Sequence, residues 1–259
     1  MVQFNNNSKF ALMADEINIY LKDIENKVIL EVGCDSKGEL IQYISKIHKP
    51  NEIIGLNMVV NSEKLNENTW LKKGDIRKTD FPDNYFDYIY SLAAFEHVFD
   101  LNIALNEMYR ILKPGGLLYT KFGPIWSSCW GHHLWLNHKS SVYNYINTEL
   151  PPYCHLLMTP NELNKVISGR FEKEICEKIV EYVFNCPDQN RLFYEDYEEI
   201  VNKSQFQNLI FYASVNYPLK NGYHPDNYAD MLESLQKKYP DYKKFYYQVI
   251  YLLLKKQNA

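Results

Sequence analysis

Two stretches of this chain hold side chains whose types and spacing could do chemistry. The first is Lys27–Gly38, KVILEVGCDSKG. It places an acid, Glu31, two residues before Gly33 and follows them with the turn formers Asp35, Ser36 and Gly38. A glycine there lets the backbone approach a ligand. The helix that follows offers N–H groups to it, which is the form of a nucleotide-binding βα turn. The second stretch is Gly123–Trp135, GPIWSSCWGHHLW, with three Trp and two His in thirteen residues. Trp faces can stack on a sugar ring or a base, and His132 or His133 can take a proton near neutral pH. The same run also reads as a loop in which one His caps a turn and the Trp residues cover a sheet. His155 is a third candidate for proton transfer, and His224, within GYHP, reads as a turn residue. No metal site is assigned to His132, His133 and a carboxylate, because the side chains of adjacent histidines often diverge.

The elements that must position these groups follow from pattern. Val28-Ile29-Leu30 is a short apolar run of the kind buried on both faces of a parallel sheet. Leu40, Ile41, Tyr43 and Ile44 recur at helical spacing over about 39–48, and Pro50-Asn51 breaks the chain. Further strands are expected at 52–57, 71–76, 85–91 and 117–122. A helix is expected over 101–112, stopped by Lys113-Pro114-Gly115-Gly116. Alternation of strand and helix through residue 122 demands a mostly parallel sheet with right-handed crossovers. Residues 8–23 read as a helix packed against the first strand. The second half is less regular. Residues 123–160 read as a long functional loop, 160–168 as a short helix, and 171–184 as a strand in its latter part. Helical pieces follow over 188–245, notably 228–238, and 246–255 reads as the final strand. The domain division expected is 1–26, an N-terminal helical segment; 27–123, the ligand-binding core; 124–245, substrate-side loops and helical insertions with one core strand; and 246–259, the last core strand.

Composition narrows the class. A net charge of −4 argues against general affinity for nucleic acid or anionic membranes. Five cysteines with no CxxC pair argue against a disulfide framework or a cysteine-rich zinc site and fit a reducing cytoplasm. The first ten residues, MVQFNNNSKF, lack an apolar signal core, and no uncharged run reaches membrane-spanning length. The 22 Tyr and 13 Phe are read chiefly as core.

In order along the chain stand Glu31-Val32-Gly33-Cys34, Ile54-Gly55-Leu56-Asn57, Gly74-Asp75-Ile76, Phe86-Asp87-Tyr88-Ile89, Phe95-Glu96-His97-Val98 and Leu112-Lys113-Pro114-Gly115-Gly116. This ordered set resembles the class I S-adenosylmethionine-dependent methyltransferases, in particular the small-molecule methyltransferases, over about residues 27–122. The resemblance implies an α/β Rossmann-like fold: a mostly parallel seven-stranded sheet, helices on both faces, and a helical and loop cap inserted in the second half. It implies S-adenosyl-L-methionine as cofactor, bound by Glu31, Gly33, Cys34, Asp35, Asn57, Asp75, Ile76 and Ser91. Glu31 and Gly33 would lie by the methionine part and Asp75 by the adenine amino group, with Ile76 against the ring. Ser91 and Leu92 would face the sulfonium. Two positions depart from the family's pattern. Asp35 and Lys37 stand where the later glycines of Glu-x-Gly-x-Gly-x-Gly belong, and Asn57 replaces the acid that holds the ribose.

Methyl transfer to a hydroxyl needs alignment and a base, so His132, His133 and His155 are the catalytic candidates. The resemblance therefore leads to O-methylation of a polar small molecule such as a sugar or nucleotide-linked sugar, with bacterial surface-glycan synthesis as its setting. Two alternatives stand beside it. One is an N-methyltransferase on a small amine or phosphoethanolamine-like group, held by tyrosines. The other is a non-catalytic cofactor-binding module. The partners expected are a small-molecule substrate and a second copy in a homodimer, not nucleic acid or membrane.

Overall fold

The computed structural model describes residues 6–215 and 225–258. Contacts divide the chain into two compact units. The first comprises Met1–Phe122, Ile200–Tyr212 and Tyr251–Ala259, the second Gly123–Glu199 and Ala213–Ile250.

The first unit opens with α1 (Asn6–Leu21), then β1 (Val28–Val32), α2 (Glu39–His48), β2 (Glu52–Asn57), β3 (Glu63–Lys64), β4 (Thr69–Lys73), β5 (Phe86–Leu92), α3 (Leu101–Ile111) and β6 (Leu112–Phe122). Ile29, Leu30 and Val32 are buried, as a strand covered on both faces requires. Helix α2 turns Leu40, Ile41 and Ile44 inward, and α3 turns in Leu101, Ala104, Leu105, Met108 and Ile111. Ala14, Ile17 and Leu21 of α1 pack in one cluster with Ile29, Cys34, Ile41, Tyr90 and Tyr119. Pairing is parallel for β1 with β2 and β5, for β2 with β4, and for β5 with β6.

The second unit contributes β7 (Trp135–His138), β8 (Ser141–Asn144), α4 (Cys154–Leu157), α5 (Pro160–Ile167) and α6 (Lys173–Asn185). The chain goes on through α7 (Tyr194–Lys203), β9 (Gln207–Val215), α8 (Pro225–Lys238) and β10 (Tyr247–Lys255). Pro160 starts α5 behind a capping box in which Thr159 and Glu162 satisfy each other's amides.

The main sheet has eight strands in the order β3-β4-β2-β1-β5-β6-β10-β9. The chain winds outward from β1 to β4, then returns to β5 on the other side. The switch point of the winding, where α/β sheets bind ligands, thus lies at the carboxyl ends of β1 and β5.

Several expectations are corrected. The sheet has eight strands, not seven: the two-residue β3 and the edge strand β9 were not foreseen. The strand expected within 171–184 is helix α6. Ile175, Ile179 and Val183 share parity, but they are also four residues apart, and all three are buried together with Cys176 on one helical face. Residues 135–144 form a hairpin inside what reads as loop. The third strand runs 69–73, so Asp75 lies in the turn beyond it. α3 ends at Ile111, just before Lys113-Pro114-Gly115-Gly116 as expected, but that stretch is itself part of β6. The register shifts there between Phe86 and Tyr88, Gly115 has φ +79°, and Lys113 Nζ holds Asp87 at 2.8 Å. The stretch 216–224, with His224, lies outside the described residues.

Candidate active site

The switch point gathers the acid, the glycine and their neighbours. Glu31 stands in register with Gly55 on one side and Tyr90 on the other, and Tyr90 with Tyr119. Glu31 and Tyr90 are buried. Burial, reinforced by the charge of Asp35, pushes the Glu31 carboxyl up to about 8, with the Tyr90 hydroxyl nearby pulling the other way. The same desolvation, with Glu31 beside it, pushes the Tyr90 hydroxyl well above its ordinary value. Neither Glu31 Oε2 nor the Tyr90 hydroxyl has a hydrogen bond of ordinary geometry, although both atoms are buried. Two polar atoms left in this way invite a polar ligand group, because an unpaired buried acceptor costs on the order of 1–3 kcal/mol.

Gly33 follows at φ +84°, a conformation that glycine adopts without strain. Its N–H donates to the Leu56 carbonyl at 2.9 Å. A Cβ built on it would lie 2.4 Å from the Cβ of Ala94, in the loop after β5. Asp35 occupies one of the amides at the start of α2. Its carboxylate accepts from the Lys37 amide at 2.9 Å and from the Glu39 amide at 2.9 and 3.2 Å, so the acid in the glycine's place takes the first amide of the helix, ahead of its N-cap Gly38. Asn57 donates from Nδ2 to the Cys34 carbonyl at 2.7 Å and accepts the Val59 amide on Oδ1 at 3.2 Å. It thereby ties the end of β2 to the Gly33 turn. Cys34 is buried, and desolvation pushes its thiol up to about 12.

Asp75 is engaged by one partner. Arg77 donates to it from Nε at 3.0 and 3.2 Å, from Nη2 at 2.7 Å and from its own amide at 2.9 Å. Those hydrogen bonds hold the carboxyl below its ordinary value, and Arg77 reaches on to Asp100 at 3.1 Å. Ile76 is buried beside it. The Ser91 hydroxyl donates to the Val32 carbonyl at 2.9 Å, which clips β5 to β1.

The histidine candidates lie in the second unit. His132 and His155 are brought together, with ring centroids 5.7 Å apart at 73°. His133, at φ +51°, turns instead to Tyr145, 5.4 Å away. Burial holds His132 well below its ordinary value and lowers His155 to about 4. Both are neutral at pH 7, so a base titrating at the free value is corrected for these two. The three Trp residues do not make one wall. Trp126 and Trp130 pack with Tyr153, Phe193 and Phe245, whereas Trp135 is 52% exposed on the hairpin.

Sequence reasoning did not single out Tyr90, Arg77 or Ala94. Tyr90 was legible in principle: once β1 and β5 are adjacent, the register sets it beside Glu31. Arg77 and Ala94 carry no pattern, since their positions come from turns.

A family model described as a methyltransferase domain matches residues 30–120. A sterol 24-C-methyltransferase of Pneumocystis carinii is 41% identical over 103 residues, covering 36% of this chain and 27% of that protein. A demethylmenaquinone methyltransferase of Staphylococcus carnosus is 35% identical over 95 residues, 34% of this chain and 39% of that one. The chain therefore spans well under half the length of these relatives. An S-adenosylmethionine-dependent methyltransferase structure from Mesorhizobium loti superposes with a TM-score of 0.54 at 12% identity, over 93% of this chain and 96% of that one. The geranyl diphosphate C-methyltransferase of Streptomyces coelicolor, solved with S-adenosyl-L-homocysteine, gives 0.55 at 11% identity, over 99% and 82%. These two likenesses bear on fold. Residues 30–120 thus match a methyltransferase domain, and the fold is that of S-adenosylmethionine-dependent methyltransferase structures. The cofactor of that class fits the residues present: a glycine turn at the switch point, with a buried carboxyl oxygen and a hydroxyl beside it that have no hydrogen bond of ordinary geometry.

Proposed function

We propose that the protein is a methyltransferase that uses S-adenosyl-L-methionine to methylate a hydroxyl of a polar small molecule. The observation that carries the first half is the Glu31–Tyr90 pair beside Gly33 at the switch point, a buried carboxyl oxygen and hydroxyl with no hydrogen bond of ordinary geometry, where the cofactor of this domain class would bind. When bound, the cofactor supplies a methyl group already activated on sulfur. Glu31 and Tyr90 would receive the polar end of its methionine part, and Gly33 would keep the turn beside it in the conformation the pair needs. Asn57 would offer its amide toward the ribose. Asp75 would accept from the adenine amino group only by giving up one of its Arg77 bonds, since Arg77 occupies both of its oxygens. A histidine among His132, His133 and His155 would take the hydroxyl proton.

The sugar and surface-glycan expectation draws no support from the relatives, whose names are those of sterol and demethylmenaquinone methyltransferases. Those names favour a second reading, methyl transfer to carbon. Incubation with a methyl-labelled cofactor and a panel of small alcohols, quinones and sterols separates the two, because the carbon shift of the new methyl tells oxygen from carbon. Among the described residues no helix is long and apolar enough to cross a membrane.

A further inference from the structure

His132 and His155 are buried side by side, and the hydrogen bonds around them fix which nitrogen of each carries its proton. His132 accepts the Leu134 amide on Nδ1 at 3.1 Å, so that nitrogen holds a lone pair and the proton of the neutral ring is on Nε2. The His155 Nε2 faces the Trp126 carbonyl at 2.8 Å. A carbonyl only accepts, so His155 also carries its proton on Nε2 and keeps a lone pair on Nδ1. The two remaining atoms are His132 Nε2, a donor, and His155 Nδ1, an acceptor. Both are buried, and neither has a hydrogen-bond partner. They belong to rings 5.7 Å apart, in residues 1% and 7% exposed.

We propose that His132 and His155 form a site for one hydroxyl oxygen, water's or a small alcohol's, which accepts from His132 Nε2–H and donates to His155 Nδ1. The chemistry selects this ligand. A carbonyl, carboxylate or phosphate oxygen could accept from His132 but would leave His155 unmet. An ammonium could donate to His155 but would meet a second donor in His132. A metal ion needs a lone pair on each ring, and that of His132 is committed to Leu134. A hydroxyl oxygen both donates and accepts, with legs of about 2.8–3.0 Å to each nitrogen. The pair also separates two roles that the sequence could not. Only His155 has a lone pair free to take a proton, while His132 has an N–H free to steady the oxygen. The site lies in one unit of the protein and does not depend on the methyltransferase reading, which cofactor affinity tests separately.

The test is nitrogen-15 nuclear magnetic resonance on the full chain labelled at histidine, near neutral pH. Long-range proton–nitrogen correlations should show both rings in the Nε2–H form, and the His132 Nε2–H proton should show a cross-relaxation peak to a hydroxyl. Three media identify its source: water alone, added methanol and added acetone. A peak to water that methanol leaves in place assigns the oxygen to a buried water. Its replacement by a peak to the methanol methyl group, with acetone without effect, shows a site open to substrate hydroxyls. His155→Gln keeps a donor for the Trp126 carbonyl but has no acceptor at the position of Nδ1, so the peak should fall several-fold in it. Either ring in the Nδ1–H form overturns the proposal. So does the absence of any hydroxyl peak at His132, or displacement by acetone as effective as by methanol. These readings come from the wild-type chain, so they hold even where the variant fails to fold.

Discussion

Replacing Glu31 by Gln tests the electrostatics of the switch point. The carboxyl is buried, and desolvation with Asp35 raises it from 4.5 to about 8. A group whose folded value is raised keeps its proton in the folded protein after losing it in the unfolded chain. Its contribution is therefore fully present below pH 4.5 and is lost as the pH rises through 8. With one pH unit worth 1.36 kcal/mol, the wild type should lose about 3 kcal/mol from this residue between pH 4.5 and 7. The loss levels off at about 5 kcal/mol once the folded carboxyl has ionised. Gln keeps the shape and neutrality of the protonated acid and does not titrate. Urea unfolding of both proteins at a series of pH values between 5 and 8 reads the difference, since every other titrating group is common to both. The stability of Glu31→Gln relative to wild type should climb by about 3 kcal/mol across that range. A difference that stays constant with pH would show that Glu31 is ionised in the folded protein and would refute the reasoning.

Three further outcomes follow from the same geometry. Asp75→Ala should weaken S-adenosylmethionine by roughly 1–3 kcal/mol in calorimetry; wild-type affinity would mean that Asp75 only braces Arg77. His155 is depressed to about 4 from 6.5, so the unfolded chain binds more protons between those values. Stability should fall as the pH drops from 6.5 toward 4, by about 3 kcal/mol, and a wild-type pH–stability curve in His155→Gln would refute this. If His155 is the base, its replacement should also lower kcat by roughly 10²–10⁴ while cofactor affinity holds.

The first half of the fold was legible because its signals are local and redundant. The apolar run 28–30 gives a strand doubly buried, 39–48 gives a helix with one buried stripe, and both stand where expected. The second half was not, for identifiable reasons. Ile175, Ile179 and Val183 satisfy strand parity and helical spacing alike, and burial on one helical face decides between them. Strand β9, the sheet's edge, shows only weak alternation, with Leu209, Tyr212 and Val215 left exposed. At the candidate site, the sequence named Glu31, Gly33 and Asp75. It could not show that Asp35 takes the first amide of a helix or that Arg77 occupies Asp75, because those depend on turn geometry. It named His155 third among the histidines, since nothing local reveals that Leu134 takes the lone pair of His132.

The central claim is that the Gly33 turn binds S-adenosyl-L-methionine. Calorimetric titration of the wild type and of Gly33→Val tests it most directly. The variant sets a side chain at φ +84° against Ala94, so the account predicts single-site binding in the wild type and its loss in a variant that keeps its circular dichroism. No binding by the folded wild type, or equal affinity in both proteins, would contradict it.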